Sequence, residues 1–333
     1  MRRGYVLLTA LSLVILTACA NRGTSILPKL GSDEATPTPM SIRLPMGFVA
    51  NVQFAPVYVA VDKGYFAQEG IELEFDYSWE TDGVRLVGSE ELPFAIASGD
   101  QVLLARAQEL PVLTVVNWWQ RFPVSVVALE ESGIQEPSDL VGQKLGTPET
   151  FGASYIGWRA LAAANGLTDQ DVQLEVIGYT QLANLTEGRV DAAVVYANNE
   201  PVQLEQMGYD FVEFPVSDYA SLVSNGLISN EQTLEEQPEL VRAFARAFLK
   251  GLEDTLNDPD AAFEICKNYV EGLEENEEAQ RAVMDASLVY WRGEVLGRSE
   301  PEAWENTVEV MKAADLLQGD VDSDQAFTND FLP

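Results

Sequence analysis

From residue 42 onward the apolar residues of this chain switch between two spacings, alternate or continuous over short runs and three to four apart over longer ones. Strands carry the first spacing and helices the second, which binds the chain to an α/β architecture with helices on the faces of its sheets. Residues 42–44 read as a short strand, 56–69 as a helix closed by Gly70, and 71–77 as an alternating strand. A buried strand at 92–97, a helix at 100–108 and strands at 112–117 and 124–129 follow. After Leu129 the rhythm restarts, with strands at 144–146, 173–177, 192–196 and 210–214 and helices at 153–165, 181–187 and 201–207. Residues 231–317 read as mostly helical and are expected to pack back on the first half. About 290 structured residues exceed one ordinary core, so two lobes are expected.

The first forty residues follow a different logic. Arg2 and Arg3, an apolar run over 6–16 and Leu16-Thr17-Ala18-Cys19 spell a bacterial lipoprotein export signal. The run is too short for the roughly 20 residues of a bilayer span. Residues 1–18 are expected to be removed and the Cys19 thiol acylated. Residues 19–41, rich in Pro, Thr, Ser and Gly, would then tether the globular part about 25 Å from the lipid. The expected location is the extracytoplasmic face of the cell membrane.

Composition removes several function classes. The formal charge is -33, and such an acidic surface repels nucleic acid and anionic headgroups, so anchoring must come from the lipid. The absence of histidine excludes Ser-His-Asp and Cys-His triads, His-based zinc sites and the His-carboxylate iron triad. Carboxylate pairs could still serve a glycosidase, but acids this abundant make any one pair uninformative, and no enzyme is expected. Cys266, alone once Cys19 is acylated, reads as a small buried hydrophobe. Neither a metal nor a cofactor is expected.

The run Asn51-Val52-Gln53-Phe54-Ala55-Pro56-Val57-Tyr58-Val59-Ala60-Val61-Asp62-Lys63-Gly64-Tyr65-Phe66-Ala67-Gln68-Glu69-Gly70-Ile71 resembles the opening of the solute-binding proteins related to thiamine-pyrimidine synthase. Ser132-Gly133-Ile134, Pro137-Ser138-Asp139-Leu140 and Gly188-Arg189-Val190-Asp191-Ala192 extend the resemblance over nearly all of 42–333. It is specific for fold rather than ligand, because the first run also occurs in sulfonate- and nitrate-binding relatives. It implies a type II periplasmic-binding-protein fold, two α/β lobes joined by a two-strand hinge. Lobe 1 would be 42–127 plus 226–333 and lobe 2 would be 128–225, hinged at 126–129 and 223–226. Such a monomer would hand its ligand to an ABC permease and its ATPase. The synthase itself depends on histidine, iron and a cysteine-rich motif that this chain lacks, so the resemblance points to binding.

In an open α/β sheet, ligands sit beyond the carboxyl ends of strands, where helix N-termini offer free N–H groups. By that rule the candidates are Asn51, Phe54 and Tyr58 after the first strand, Trp79 after the next, and Asp100, for which N-capping is the competing role. Trp118 and Trp119 follow an apolar strand. Adjacent side chains of extended chain point apart, so one indole is expected to stack on the ligand while the other packs inward. Phe151, Ser154 and Tyr155 lie in a segment with which the family is implied to cradle an anion or a ring, Gly152 allowing close approach. Tyr196, Asn198 and Glu200 follow an apolar strand and precede Pro201, which suits a first helical turn. Glu200 resembles the position where pyrimidine-precursor binders place a carboxylate; the competing roles are capping by Asn198 and dipole complementation by Glu200.

The expected ligand is a flat heteroaromatic vitamin. Riboflavin is favoured, because the aromatic supply suits a three-ring ligand. The alternatives are the thiamine pyrimidine precursor, then a sulfonate or nitrate, for which only Arg121 offers a nearby cation, and last a secreted carboxylate-based hydrolase.

Overall fold

The computed structural model describes residues 39–333, so the export signal, Cys19 and most of the expected tether lie outside the described residues. Among the described residues ten strands form the framework: β1 Met40–Pro45, β2 Ile71–Asp76, β3 Ala95–Ser98, β4 Val112–Val116 and β5 Val124–Leu129. They continue as β6 Lys144–Thr147, β7 Gln173–Val176, β8 Ala192–Tyr196, β9 Phe211–Pro215 and β10 Asn225–Asn230. No helix among the described residues is long and apolar enough to cross a membrane.

The two lobes repeat one plan. In the first, β1 and β2 pair in parallel, β1 lies beside β3, and β10 is inserted antiparallel between β3 and β4. In the second the order is β7-β6-β8-β5-β9, with β6 parallel to both neighbours and β5 antiparallel to β8 and β9. Each lobe thus receives its inserted strand from a segment that has just left the other. The crossings are residues 117–123 and 216–224.

Three expectations need correction. The boundary expected at 127/128 falls inside β5, whose six residues are all buried and pair within the second sheet. The apolar run has no breaker until Pro123 behind it, so the chain crosses earlier. The helix expected over 56–69 is two, Ala55–Asp62 and Tyr65–Gln68, because Gly64 between them takes a φ of 71° that ends the first. The C-terminal helices do not all return to the first lobe. Pro238–Asn257 does, with Gly251 so close to Ala55–Asp62 that a Cβ there would lie 2.2 Å from the Pro56 carbonyl oxygen. Glu277–Trp291 packs both on Val52–Phe54 of the first lobe and on Glu200–Gln206 of the second, and Pro301–Ala313 bridges Gly99–Ala107 and Gly152–Ala164. One apolar cluster therefore runs through both lobes, holding Val102, Ile156, Trp158, Trp304 and Met311.

Candidate functional site

Between the lobes lies a cleft of about 730 Å³. Its walls are the segments after β1, β2, β3, β6, β7 and β8, the strand ends where an α/β sheet leaves helix N-termini unpartnered. In the first lobe Phe54, Trp118 and Trp119 form an aromatic floor that is packed before any ligand arrives. Trp118 is 1% exposed, with its ring centroid 5.9 Å from Phe54, 5.8 Å from Phe248 and 5.7 Å from Trp291. The expected split of the two indoles does not occur: both touch the cleft and both join this cluster, their centroids 5.8 Å apart. At the mouth the reverse holds. Trp79 is 68% exposed, Phe151 54% and Tyr179 65%.

Carboxylates define the polar part of the cleft. Glu80 opens the helix Glu80–Gly88, and its Oε1 accepts the Ser98 hydroxyl at 2.6 Å and the Ser98 backbone N–H. Its Oε2 takes no hydrogen bond from any described residue. Burial and then the neighbouring Asp100 push the Glu80 carboxyl up to about 7. Asp100, 2% exposed, accepts Gln101 Nε2 at 3.0 Å on one oxygen while the other has no partner, and burial raises its proton affinity too. Across the cleft, Glu200 Oε2 accepts the Tyr196 backbone N–H at 3.1 Å and Oε1 accepts Asn199 Nδ2 at 3.3 Å. Burial again raises its proton affinity. The Tyr196 phenol is held protonated by burial and then by the fields of Glu80, Asp100, Tyr179 and Glu200, so acids of both lobes converge on it.

Among the described residues no lysine or arginine lines the cleft. Arg121 turns away to Ser217 Oγ at 3.1 Å and to Asp218 at 3.6 Å. One feature of opposite character is present, the N-terminus of Gly152–Ala164. No side chain caps its first N–H groups, and Gly152 has open space where a Cβ would stand.

Of the residues expected at the site, Phe54, Trp79, Trp118, Trp119, Phe151, Ser154, Tyr196 and Glu200 line the cleft. The other five are committed to the fold instead. Asn51 accepts the Gln53 N–H at 3.0 Å as a cap. Tyr58 stacks on Tyr269 at 4.6 Å and shares a 3.0 Å hydrogen bond with the Tyr77 hydroxyl, which does reach the cleft. Asp100 stands behind Glu80 rather than on the surface. The Tyr155 hydroxyl donates to Asp169, and Asn198 Nδ2 donates to Ser287 Oγ at 2.8 Å, a buried tie from the second lobe to Glu277–Trp291. Sequence reasoning missed Tyr77, Glu80, Tyr179 and Gln181. The strand-end rule that selected Trp79 could have found Glu80 one residue on.

Relatives are consistent with this geometry. A family pattern described as NMT1/THI5 like matches residues 51–262. The riboflavin-binding protein RibY of Chloroflexus aurantiacus is 39% identical over 100% of this chain and 99% of its own length. The formylaminopyrimidine-binding protein of Halalkalibacterium halodurans is 31% identical over 96% of each. Among solved structures, the periplasmic aliphatic sulphonate binding protein SsuA from Escherichia coli superposes with a TM-score of 0.72 at 12% identity, covering 86% of this chain and 92% of that one. The shared fold is that of the periplasmic binding proteins. With the pattern matched over more than half of its length and two relatives aligned nearly end to end, the chain belongs to the NMT1/THI5-like family.

Proposed function

We propose that this protein is the solute-binding component of an ABC importer and that its ligand is riboflavin. The end-to-end 39% identity to a riboflavin-binding protein carries the reading. The cleft supports it with aromatic faces on both lobes, amide, hydroxyl and carboxylate groups that can meet both the donors and the acceptors of a flavin, and a volume of about 730 Å³, within the usual range for small-molecule sites. Phe54, Trp79, Trp118, Trp119, Phe151 and Tyr196 supply apolar contact, Ser154 and Glu200 orientation, and the crossings at 117–123 and 216–224 the hinge. A sulfonate fits poorly where no described lysine or arginine lines the wall. The pyrimidine precursor is the second reading, favoured by the 31% relative and by the position of Glu200.

Export, loss of residues 1–18, acylation of Cys19 and a flexible tether up to β1 complete the reading. The protein works as a monomer held near its permease. Thermal unfolding in the presence of each ligand class tests the assignment. Riboflavin at a hundred times its dissociation constant should add about 2.7 kcal/mol of stability. A shift with a methylpyrimidine amine but none with riboflavin selects the second reading, and a shift only with a sulfonate overturns both. For the anchor, Cys19→Ala should move the protein from the membrane fraction to the soluble one.

A further inference from the structure

We infer that Glu80, with Tyr196 and Glu200 of the other lobe, forms a subsite for the polyhydroxyl arm of the ligand, and that the same groups reject its phosphate ester. The inference rests on the riboflavin reading and adds which end of the ligand goes where.

Glu80 and Tyr196 both line the cleft, and neither Glu80 Oε2 nor the Tyr196 hydroxyl hydrogen-bonds any described residue, while the field of Glu80 reaches the Tyr196 phenol. These positions are open to hydrogen bonds from a ligand. The ring system of a flavin is poorly matched to this task, since its polar edge places one N–H between two carbonyl oxygens and would bring those oxygens against carboxylates. Neighbouring hydroxyls of the arm match it well, each donating to a carboxylate oxygen while accepting from a phenol. The arm therefore lies at the carboxylates and the rings lie against the aromatic faces. A terminal phosphate would add negative charge to a space lined by Glu80, Glu149 and Glu200 with no lysine or arginine among its lining residues. The uncapped N–H groups at Gly152 are the competing feature, because they could hold a phosphate.

The test is a fluorescence titration of the detergent-solubilised full chain with riboflavin, lumiflavin, which carries a methyl in place of the arm, and riboflavin 5′-phosphate. Lumiflavin should bind at least about tenfold more weakly than riboflavin. The phosphate ester should bind at least about a hundredfold more weakly. Glu80→Gln, which keeps the acceptor for Ser98, should shrink the gap between riboflavin and lumiflavin while leaving lumiflavin unchanged, and should improve binding of the phosphate ester. Equal affinity for riboflavin and lumiflavin, or for riboflavin and its phosphate, overturns the inference while leaving the riboflavin reading intact. Binding of none of the three overturns that reading itself. If Glu80→Gln does not fold, the three ligands on the unaltered chain still decide.

Discussion

The two lobes share one strand order but bring different kinds of surface to the cleft. The first presents a finished wall: Phe54, Trp118 and Trp119 are packed into its core, and Glu80 is clamped by Ser98 of the adjoining strand. The second presents loosely held pieces, Phe151 and Tyr179 standing in solvent and Glu200 held by its own turn. Trp79 is the exception, a first-lobe residue that is exposed. Changes to the first wall should therefore cost stability, and changes to the second should cost binding alone.

The largest effect is expected at Trp118. Trp118→Ala opens a cavity among Phe54, Phe248 and Trp291 and should lower unfolding free energy by about 3–5 kcal/mol, measured by denaturant titration. A loss under about 1 kcal/mol would mean the wall is assembled by the ligand. Next comes Glu200→Gln, which should weaken riboflavin binding by about 1–3 kcal/mol with the melting temperature nearly unchanged. Unchanged affinity would return Glu200 to a role in starting its helix.

A third effect follows from the raised carboxyls. The folded protein holds protons on Glu80, Asp100 and Glu200 at pH values where the unfolded chain has released them. Stability from these groups is therefore present at low pH and lost as pH rises through the folded values, for Glu80 between its ordinary 4.5 and about 7. The melting temperature should rise as pH falls from 8 to 5.5, and Glu80→Gln should flatten that rise. A melting temperature independent of pH over this window would remove the claim. The smallest effect is at the rim: Tyr179→Ala should weaken binding by about 1 kcal/mol and change stability by no more than about 0.5 kcal/mol.

The same contrast explains what could be read from sequence. Glu200 was legible because its partner Tyr196 is four residues away and Pro201 marks the helix start. The strand-end rule reaches the position of Glu80 but not its partners, because Ser98 and Asp100 reach it only once β3 lies beside the segment after β2. Asn198 looked like a cleft residue for the same reason in reverse: its partner Ser287 is 89 positions on, in a helix whose docking on the second lobe has no local signature. Tyr58 was misplaced because the first six residues of Ala55–Asp62 are all buried, so no periodicity distinguishes the cleft side from the core side. The α/β rhythm survived because it is local. The crossing before β5 was shifted because turn residues, not apolar ones, set it.

The central claim is that the cleft binds riboflavin through faces supplied by both lobes. Titrating the full chain into riboflavin while following flavin fluorescence tests it most directly. The account predicts saturable quenching at one flavin per chain, weakened at least about fivefold by Glu200→Gln. Flavin fluorescence that stays unquenched while a methylpyrimidine amine raises the melting temperature would contradict it.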